Sequence, residues 1–423
     1  MFDLFNIFNP EWWMNENNSA LEISDAVLFL LFCIPVAYLF VCALFSMGKY
    51  KNPYPKTSVQ HRFLVLFTVL KEGQEVIESI NEFIDTQLYP REKYDIAVAA
   101  TGLNEDDLIT LLQMPINIVI PDKDQCTKVY AIQQVMERYS PNEYDMVVIL
   151  NSDNRIGPNA LELFNDAYYS GCDAIQAHRM TRNLNTGIAI LGAVTEEINN
   201  NLFRKAHTRM GFSSALIGSA MAFDFSIFHE IAPTLKGGDT STAMEVALLK
   251  QNIYTEYLEE VICYSRKEDN DEQYVNRRSQ WTKGRFYTRR YALLHLPLAM
   301  LSGEWDLANK YFQWTIPSRF ALIALIALIS IIITIADWML CFKWYILLLI
   351  LLFVFVMALP DGEISRRFRH AIWIMPYLVA KSFISLLKSK VMKKGPKKKK
   401  KEEKKEEVKE TMNDESIIPN EIV

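Results

Sequence analysis

Short apolar runs rich in valine and isoleucine alternate with amphipathic stretches through the middle of the chain. The runs at 62–70 (RFLVLFTVL), 94–101 (YDIAVAAT), 116–121 (INIVIP) and 145–150 (DMVVIL) have the length of buried strands. Helical periods over 74–83, 105–112, 127–137 and 159–168 separate them. This alternation predicts right-handed crossovers and an α/β fold, with a parallel sheet covered on both faces. Ligands of such sheets bind beyond the carboxyl ends of the strands. Asn151-Ser152-Asp153-Asn154 falls there, directly after the fourth run.

Longer apolar runs flank this region. Residues 26–47 can cross a hydrocarbon core of about 30 Å at about 1.5 Å per residue, and membrane helices tolerate the enclosed Pro35. Residues 320–336 and 344–359, joined by a polar turn from Asp337 to Lys343, read as a membrane hairpin. Residues 1–25 contain no Lys or Arg, whereas Lys49, Lys51 and Lys56 follow the first run. The positive-inside rule therefore expects 1–25 outside and 54–301 in the cytoplasm. The absence of a basic n-region argues against a cleaved signal peptide. A weaker apolar stretch, 371–387, carries Pro376 and Lys381 between basic flanks and reads as an interfacial amphipathic helix. Residues 393–423 form a Lys/Glu-rich tail expected to be disordered, a solvated charge run whose lysines can lean on anionic lipid.

Composition changes this picture little. The net charge of −5 hides the basic tail behind acidic segments, and the six cysteines show neither a C-x-x-C pair nor zinc spacing. Nucleic acid is not an expected partner, because no aromatic-basic recognition motif is present. A lipid receptor or transporter is disfavoured as well. Three spans do not enclose a polar route, and the three runs carry no charge.

Several segments resemble the membrane-bound family 2 glycosyltransferases of bacteria, relatives of cellulose and hyaluronan synthases. The resemblance rests on strand order, on Lys128 with Ala131-Ile132, and on Asp153 in the Asp-x-Asp position. It is extended by SSALIGSAMAFDFSIF from Ser213, EVALLKQNIYTEYLEE from Glu245 and RRSQWTKGRF from Arg277. It implies a GT-A nucleotide-sugar domain, Rossmann-like, over 54–301, ending in an interfacial helix and anchored in a bacterial inner membrane by transmembrane helices. The implied partners are a nucleotide-diphosphate sugar, a glycan or lipid acceptor, the bilayer and possible membrane protein partners. The implied cofactor is Mg²⁺ or Mn²⁺, because a divalent cation on a carboxylate offsets the charge that develops on the leaving diphosphate. A separate Asp would take the acceptor proton in an inverting displacement.

The chain departs from that pattern at several places. Of the Pro-x-x-Asn-Glu after the first strand only Glu72 is kept, and Ala100-Thr101-Gly102 replaces the nucleotide-binding Asp. Asn151 replaces the first Asp of Asp-x-Asp, leaving Asp153 as the metal residue. Ala243 or Ser241 falls at the base position, so Asp239 and Glu245 are the alternative bases. Gln-x-x-Arg-Trp becomes Arg277-Arg278-Ser279-Gln280-Trp281, whose guanidinium groups, with Lys283 and Arg285, suit a diphosphate.

Each residue also has a plainer reading. Asp153 can cap the helix near Pro158, Asp239 can form a turn, and Glu245 can sit at a helix N-terminus. Lys128 can be solvated, and the 277–290 cluster can seat the domain on lipid. Two functions stay open: an active transferase, or an inactive relative serving as a binding or scaffold subunit.

Overall fold

The computed structural model describes residues 20–48, 52–70, 72–121, 127–235, 240–267, 270, 272 and 288–359. Asp239, Arg277, Arg278, Gln280, Trp281, the 371–387 stretch and the 393–423 tail lie outside them.

The four apolar runs form strands β1 (Phe63–Leu70), β2 (Tyr94–Thr101), β3 (Asn117–Val119) and β4 (Met146–Asn151). They are joined by helices α2 (Gly73–Thr86), α3 (Glu105–Leu112) and α4 (Lys128–Met136), after an N-terminal helix α1 (Ala20–Ser46). Then follow β5 (Arg155–Ile156), α5 (Ala160–Tyr169), β6 (Ala174–Thr181) and α6 (Gly187–Asn200). One eight-stranded sheet results, in the order β3-β2-β1-β4-β7-β6-β8-β5, where β7 is Met221–Asp224 and β8 is Thr255–Ser265.

Strands β3, β2, β1 and β4 are mutually parallel, as the βα alternation requires. The expectation of a purely parallel sheet is corrected beyond β4. Strand β7 runs antiparallel to β4 and β6, and β5 runs antiparallel to β8. These strands are short, or carry polar residues such as Gln176, Arg179 and Glu256, so no continuous apolar run announces them.

Successive β1 residues point to opposite faces, and both faces are covered. Phe63, Val65 and Phe67 pack with Val76 and Ile80 of α2 and Phe164 of α5. Leu64 and Leu66 pack with Val129 and Ile132 of α4 and with helices α8 (Phe225–Ile231) and α9 (Thr240–Lys250). The fold is therefore a mixed α/β sandwich whose β1–β4 carboxyl ends form one edge.

Helix α6 continues through a π turn (Asn201–Lys205) into α7 (Ala206–Met210), which ends at Gly211 with φ +79°. A left-handed C′ position of this kind favours glycine. This segment packs on α1 together with α11 (Arg319–Ala336) and α12 (Cys341–Met357), while α10 (Trp305–Thr315) packs below α9. Helices α1 and α11 are long and apolar enough to cross a membrane, and α12 is a shorter apolar helix.

The three apolar runs themselves hold no charge, but two of the helices that contain them extend to one. Helix α1 begins before Asp25 and α12 before Lys343, and the two side chains form a buried ion pair. The Trp344 indole N–H also donates to Asp25 at 2.7 Å. A run defined by apolarity stops at the first charge, whereas a helix continues wherever that charge finds a partner.

Buried His207 links α7 to α1 and α10: its Nε2 lies 2.7 Å from the Tyr38 hydroxyl, which donates to Asn309 Oδ1 at 2.9 Å. Burial first, and the nearby Lys310 charge second, push the imidazole down to about 3. The unfolded chain binds this proton near pH 6.5 and the folded one does not, so stability falls as pH drops below that value. Between pH 6.5 and 4.5, His207 costs about 1.4 kcal/mol per pH unit. Denaturation midpoints measured across that window should slope less steeply in His207→Gln than in the parent chain, and equal slopes would sink this assignment.

Candidate active site

The strand-end tetrapeptide is a closed turn. Asn154 N–H donates to Asn151 O at 3.1 Å, and Asn154 Oδ1 accepts from Asn151 N–H at 3.0 Å. Arg155, only 7% exposed, anchors this turn from below through Ser79, Glu82 at 2.7 Å and Glu78 at 3.2 Å. Ser79 in turn donates to Ser152 O. The orientation of Asp153 thus depends on α2, the first crossover helix.

Asp153 is half-buried, and both of its carboxylate oxygens accept protein N–H groups: Asn154 Nδ2 at 3.2 Å and the Arg266 backbone at 2.8 Å. Asn151 Oδ1 accepts from Thr68 Oγ1 at 3.4 Å and from the Lys128 ammonium. Lys128 opens α4, behind a Thr127 cap, and its ammonium also meets the Gly218 carbonyl. Burial chiefly, and the Arg179 charge next, push this ammonium down to about 7, while Asp153 opposes the shift.

The structure brings Lys128, Asn151 and Asp153 into one cluster. Thr101 lies on the same edge, buried at the end of β2 and in register with Leu70. Glu72 sits beyond β1, exposed, and accepts from Leu70 N–H at 3.3 Å.

Glu245 is placed differently. It is 5% exposed on α9, and Oε1 accepts from Leu216 N–H at 2.7 Å and faces Lys310 Nζ of α10 at 3.4 Å. It belongs to a set of side chains that pins the Ser213–Gly218 loop residue by residue. Asp306 accepts from Ser213 N–H at 3.0 Å, and Gln176 Oε1 accepts from Ile217 N–H at 2.9 Å. Gly218 has φ +85° and Ala220 φ +54°, so the loop enters β7 through a left-handed turn that is unusual for alanine. Gln176 Nε2 braces that turn by donating to Ser219 O at 3.2 Å and Ala220 O at 3.1 Å.

Sequence reasoning missed a second cation cluster. Glu196, 6% exposed on α6, pairs with Arg179 at 2.7 Å, Lys267 at 3.1 Å and Arg204 at 3.3 Å. Burial alone would raise its pKa, but these three cations outweigh burial and hold Glu196 well below the usual carboxylate range. Arg179 stands on β6 beside Cys263 of β8, where its charge and that of Asp153 are both felt. The one available signal was local: His178-Arg179 interrupts a buried strand with polar side chains.

Around Asp153 the described side chains make a poor donor set for Mg²⁺ or Mn²⁺. Each carboxylate oxygen already accepts one N–H, and the neighbouring Asn151 oxygen faces an ammonium. Among the described residues, no group of three or more His, Cys, Asp or Glu could hold an ion. What the cluster offers is positive charge and N–H donors at a sheet edge, which suits a phosphorylated ligand.

Comparison with known proteins agrees with this architecture. The fold matches that of the mannosyltransferase PcManGT from Pyrobaculum calidifontis, solved with GDP-Man and Mn²⁺, at 13% identity and TM-score 0.51. That match covers 79% of this chain and 96% of that one. TarS 1-349 from S. aureus, solved with UDP-GlcNAc, is more distant, at 12% identity and TM-score 0.38 over 60% of this chain and 72% of that one. No curated protein matches the sequence. The fold is thus GT-A-like, and the family model described as glycosyl transferase family group 2 matches residues 146–359, just over half of the chain. The chain belongs to glycosyl transferase family group 2.

Proposed function

We propose that the chain transfers a sugar, with inversion, from a nucleotide-diphosphate sugar to a hydroxyl of a glycan or lipid acceptor. We place it in a bacterial inner membrane, in envelope or exopolysaccharide assembly, held by α1, α11 and α12 with the sheet domain on the cytoplasmic side. The observation that carries this reading is the cluster of Lys128, Arg179 and Arg266 around Asn151 and Asp153 at the carboxyl edge of a GT-A-like sheet.

In this reading the acceptor oxygen attacks the anomeric carbon, the bond to the diphosphate breaks, and its electron pair leaves on phosphate. Lys128 and Arg179 offset the charge that grows there. Asp153 holds the Arg266 backbone in place; it is also the residue to which the resemblance assigns Mg²⁺ or Mn²⁺. Thr101 and Glu72 serve the nucleotide, Arg277 and Arg278 the diphosphate, and Gln280 and Trp281, in the place of the family's Gln-x-x-Arg-Trp motif, the acceptor side. Asp239 takes the acceptor proton. Glu245, held by Leu216 and Lys310, positions the Ser213–Gly218 loop.

One observation favours a scaffold as the second reading. Glu245, the carboxylate two residues beyond Ala243, is engaged with a buried lysine. Membranes containing the chain, supplied with radiolabelled UDP-GlcNAc and GDP-mannose, separate the two. A transferase yields a labelled membrane product that falls by about 10²–10⁴ in Asp239→Asn, the range for loss of a general base. A chain that makes no product from either donor, yet co-purifies with another membrane transferase, supports the scaffold.

A further inference from the structure

We infer that Gln176 is a positioning residue for the nucleotide: by clamping the turn on either side of Gly218 it aims the Gly218 carbonyl at Lys128, and so sets where that side chain meets the diphosphate. The inference rests on the transferase reading above and deepens it.

Three observations converge on it. First, the amide of Gln176 spans the turn. The residue is fully buried on β6, in register with Met221 at the start of β7. Its Oε1 accepts from Ile217 N–H at 2.9 Å, and its Nε2 donates to Ser219 O at 3.2 Å and Ala220 O at 3.1 Å. One planar group therefore fixes the residue before Gly218 and the two after it.

Second, the carbonyls of the turn are divided between two side chains. Ser219 and Ala220 turn theirs to Gln176, whereas Gly218 turns its own to Lys128 Nζ. The left-handed backbone at Gly218 (φ +85°) and Ala220 (φ +54°) produces this division. Alanine persists in such a conformation only where its surroundings over-determine it. Lys128 has N–H groups for both Gly218 O and Asn151 Oδ1 as an ammonium or as an amine, so the arrangement does not depend on its charge.

Third, the neighbouring contacts stop short of the turn's centre. Beyond the Gln176–Met221 pair the ladder adds Ala177 N–H to Ala220 O at 2.9 Å, and Glu245 holds the loop at Leu216 N–H. Ser219 is fully buried, so its carbonyl, released from Gln176, is left without bulk water and the turn has to rearrange.

Calorimetry with UDP and with GDP, in Mn²⁺ on the full chain in detergent, tests this through Gln176→Met, which keeps the side chain's shape and removes its amide. Affinity should fall by about 3- to 30-fold at unchanged stoichiometry, the span of a displaced hydrogen bond. A glutamine that only supports the core would lower the stoichiometry, through lost folded protein, and leave the affinity alone. The pair Gln176→Met with Lys128→Met should bind within about twofold of Lys128→Met alone, because the effect runs through one side chain. Should Gln176→Met fail to fold, Gln176→Glu carries the same comparison: it keeps the acceptor for Ile217 N–H and loses the Nε2 donor. An affinity within about twofold of the parent's, a further loss in the Lys128→Met background, or failure of both variants to fold overturns the inference and leaves the transferase reading standing. A parent chain that binds neither nucleotide overturns that reading, and the inference with it.

Discussion

Lys310→Met destabilises the fold by about 3–5 kcal/mol, the cost of removing one partner of a buried ion pair. Lys310 is fully buried, and its ammonium meets the Ser213 and Ser214 carbonyls at 3.3 Å as well as Glu245 at 3.4 Å. Methionine keeps most of the side-chain length and loses every polar contact. The Glu245 carboxylate and two carbonyls are left in low dielectric with their strongest donor gone. The paired change Lys310→Met with Glu245→Leu should recover most of the loss, because a buried pair replaced by apolar groups of similar volume is often neutral. Denaturant titrations of the two single variants and the pair measure this. A single-variant loss below about 1 kcal/mol would mean that water reaches Glu245 and would remove its loop-positioning role.

Glu196→Gln is the second large effect, about 3–5 kcal/mol at pH 7, because one buried carboxylate serves Arg179, Arg204 and Lys267 together. Its folded pKa lies well below the ordinary value. The unfolded chain therefore takes up the proton first as pH falls. The stability that Glu196 contributes is fully present above about pH 4.3 and is lost as pH drops through the folded value. The gap between parent and variant should consequently be constant from neutral pH down to about 5 and close below 4. A gap that does not change with pH would show that glutamine fails by shape and not by charge.

The two effects differ in what they do to the site. Lys310 and Glu245 hold the Ser213–Gly218 loop, whose Gly218 carbonyl meets Lys128. Glu196 holds Arg179, whose charge reaches that same ammonium. The Lys128–Asn151 cluster is thus braced from two sides, by α9 with α10 and by α6, and each brace is a largely buried ion pair.

The first half of the fold was legible in the chain. Runs of valine and isoleucine are buried on both faces, and the period of each intervening helix is a local property. Strands β1, β2 and β4 accordingly stand where the apolar runs are. Strands β6, β7 and β8 escaped because several of their polar residues face other side chains and interrupt the apolar pattern without lying in solvent. Gln176 braces a loop, Arg179 pairs with Glu196, and the run is interrupted without the strand being exposed. Asp153 was legible as a strand-end carboxylate, while the donors that occupy it were not.

What the sequence determined by itself was the alternation of elements, the apolar helices and the strand-end position of Asn151–Asn154, because these follow from periodicity and run length. Which charges meet was decided by tertiary structure alone. Asp25 finds Lys343, Glu245 finds Lys310, and Lys267 reaches Glu196 from the far side of β8. Such partners lie far apart in the chain, and no local rule of spacing selects them. Burial does, because a charge removed from water is stable only where the fold delivers its counter-charge.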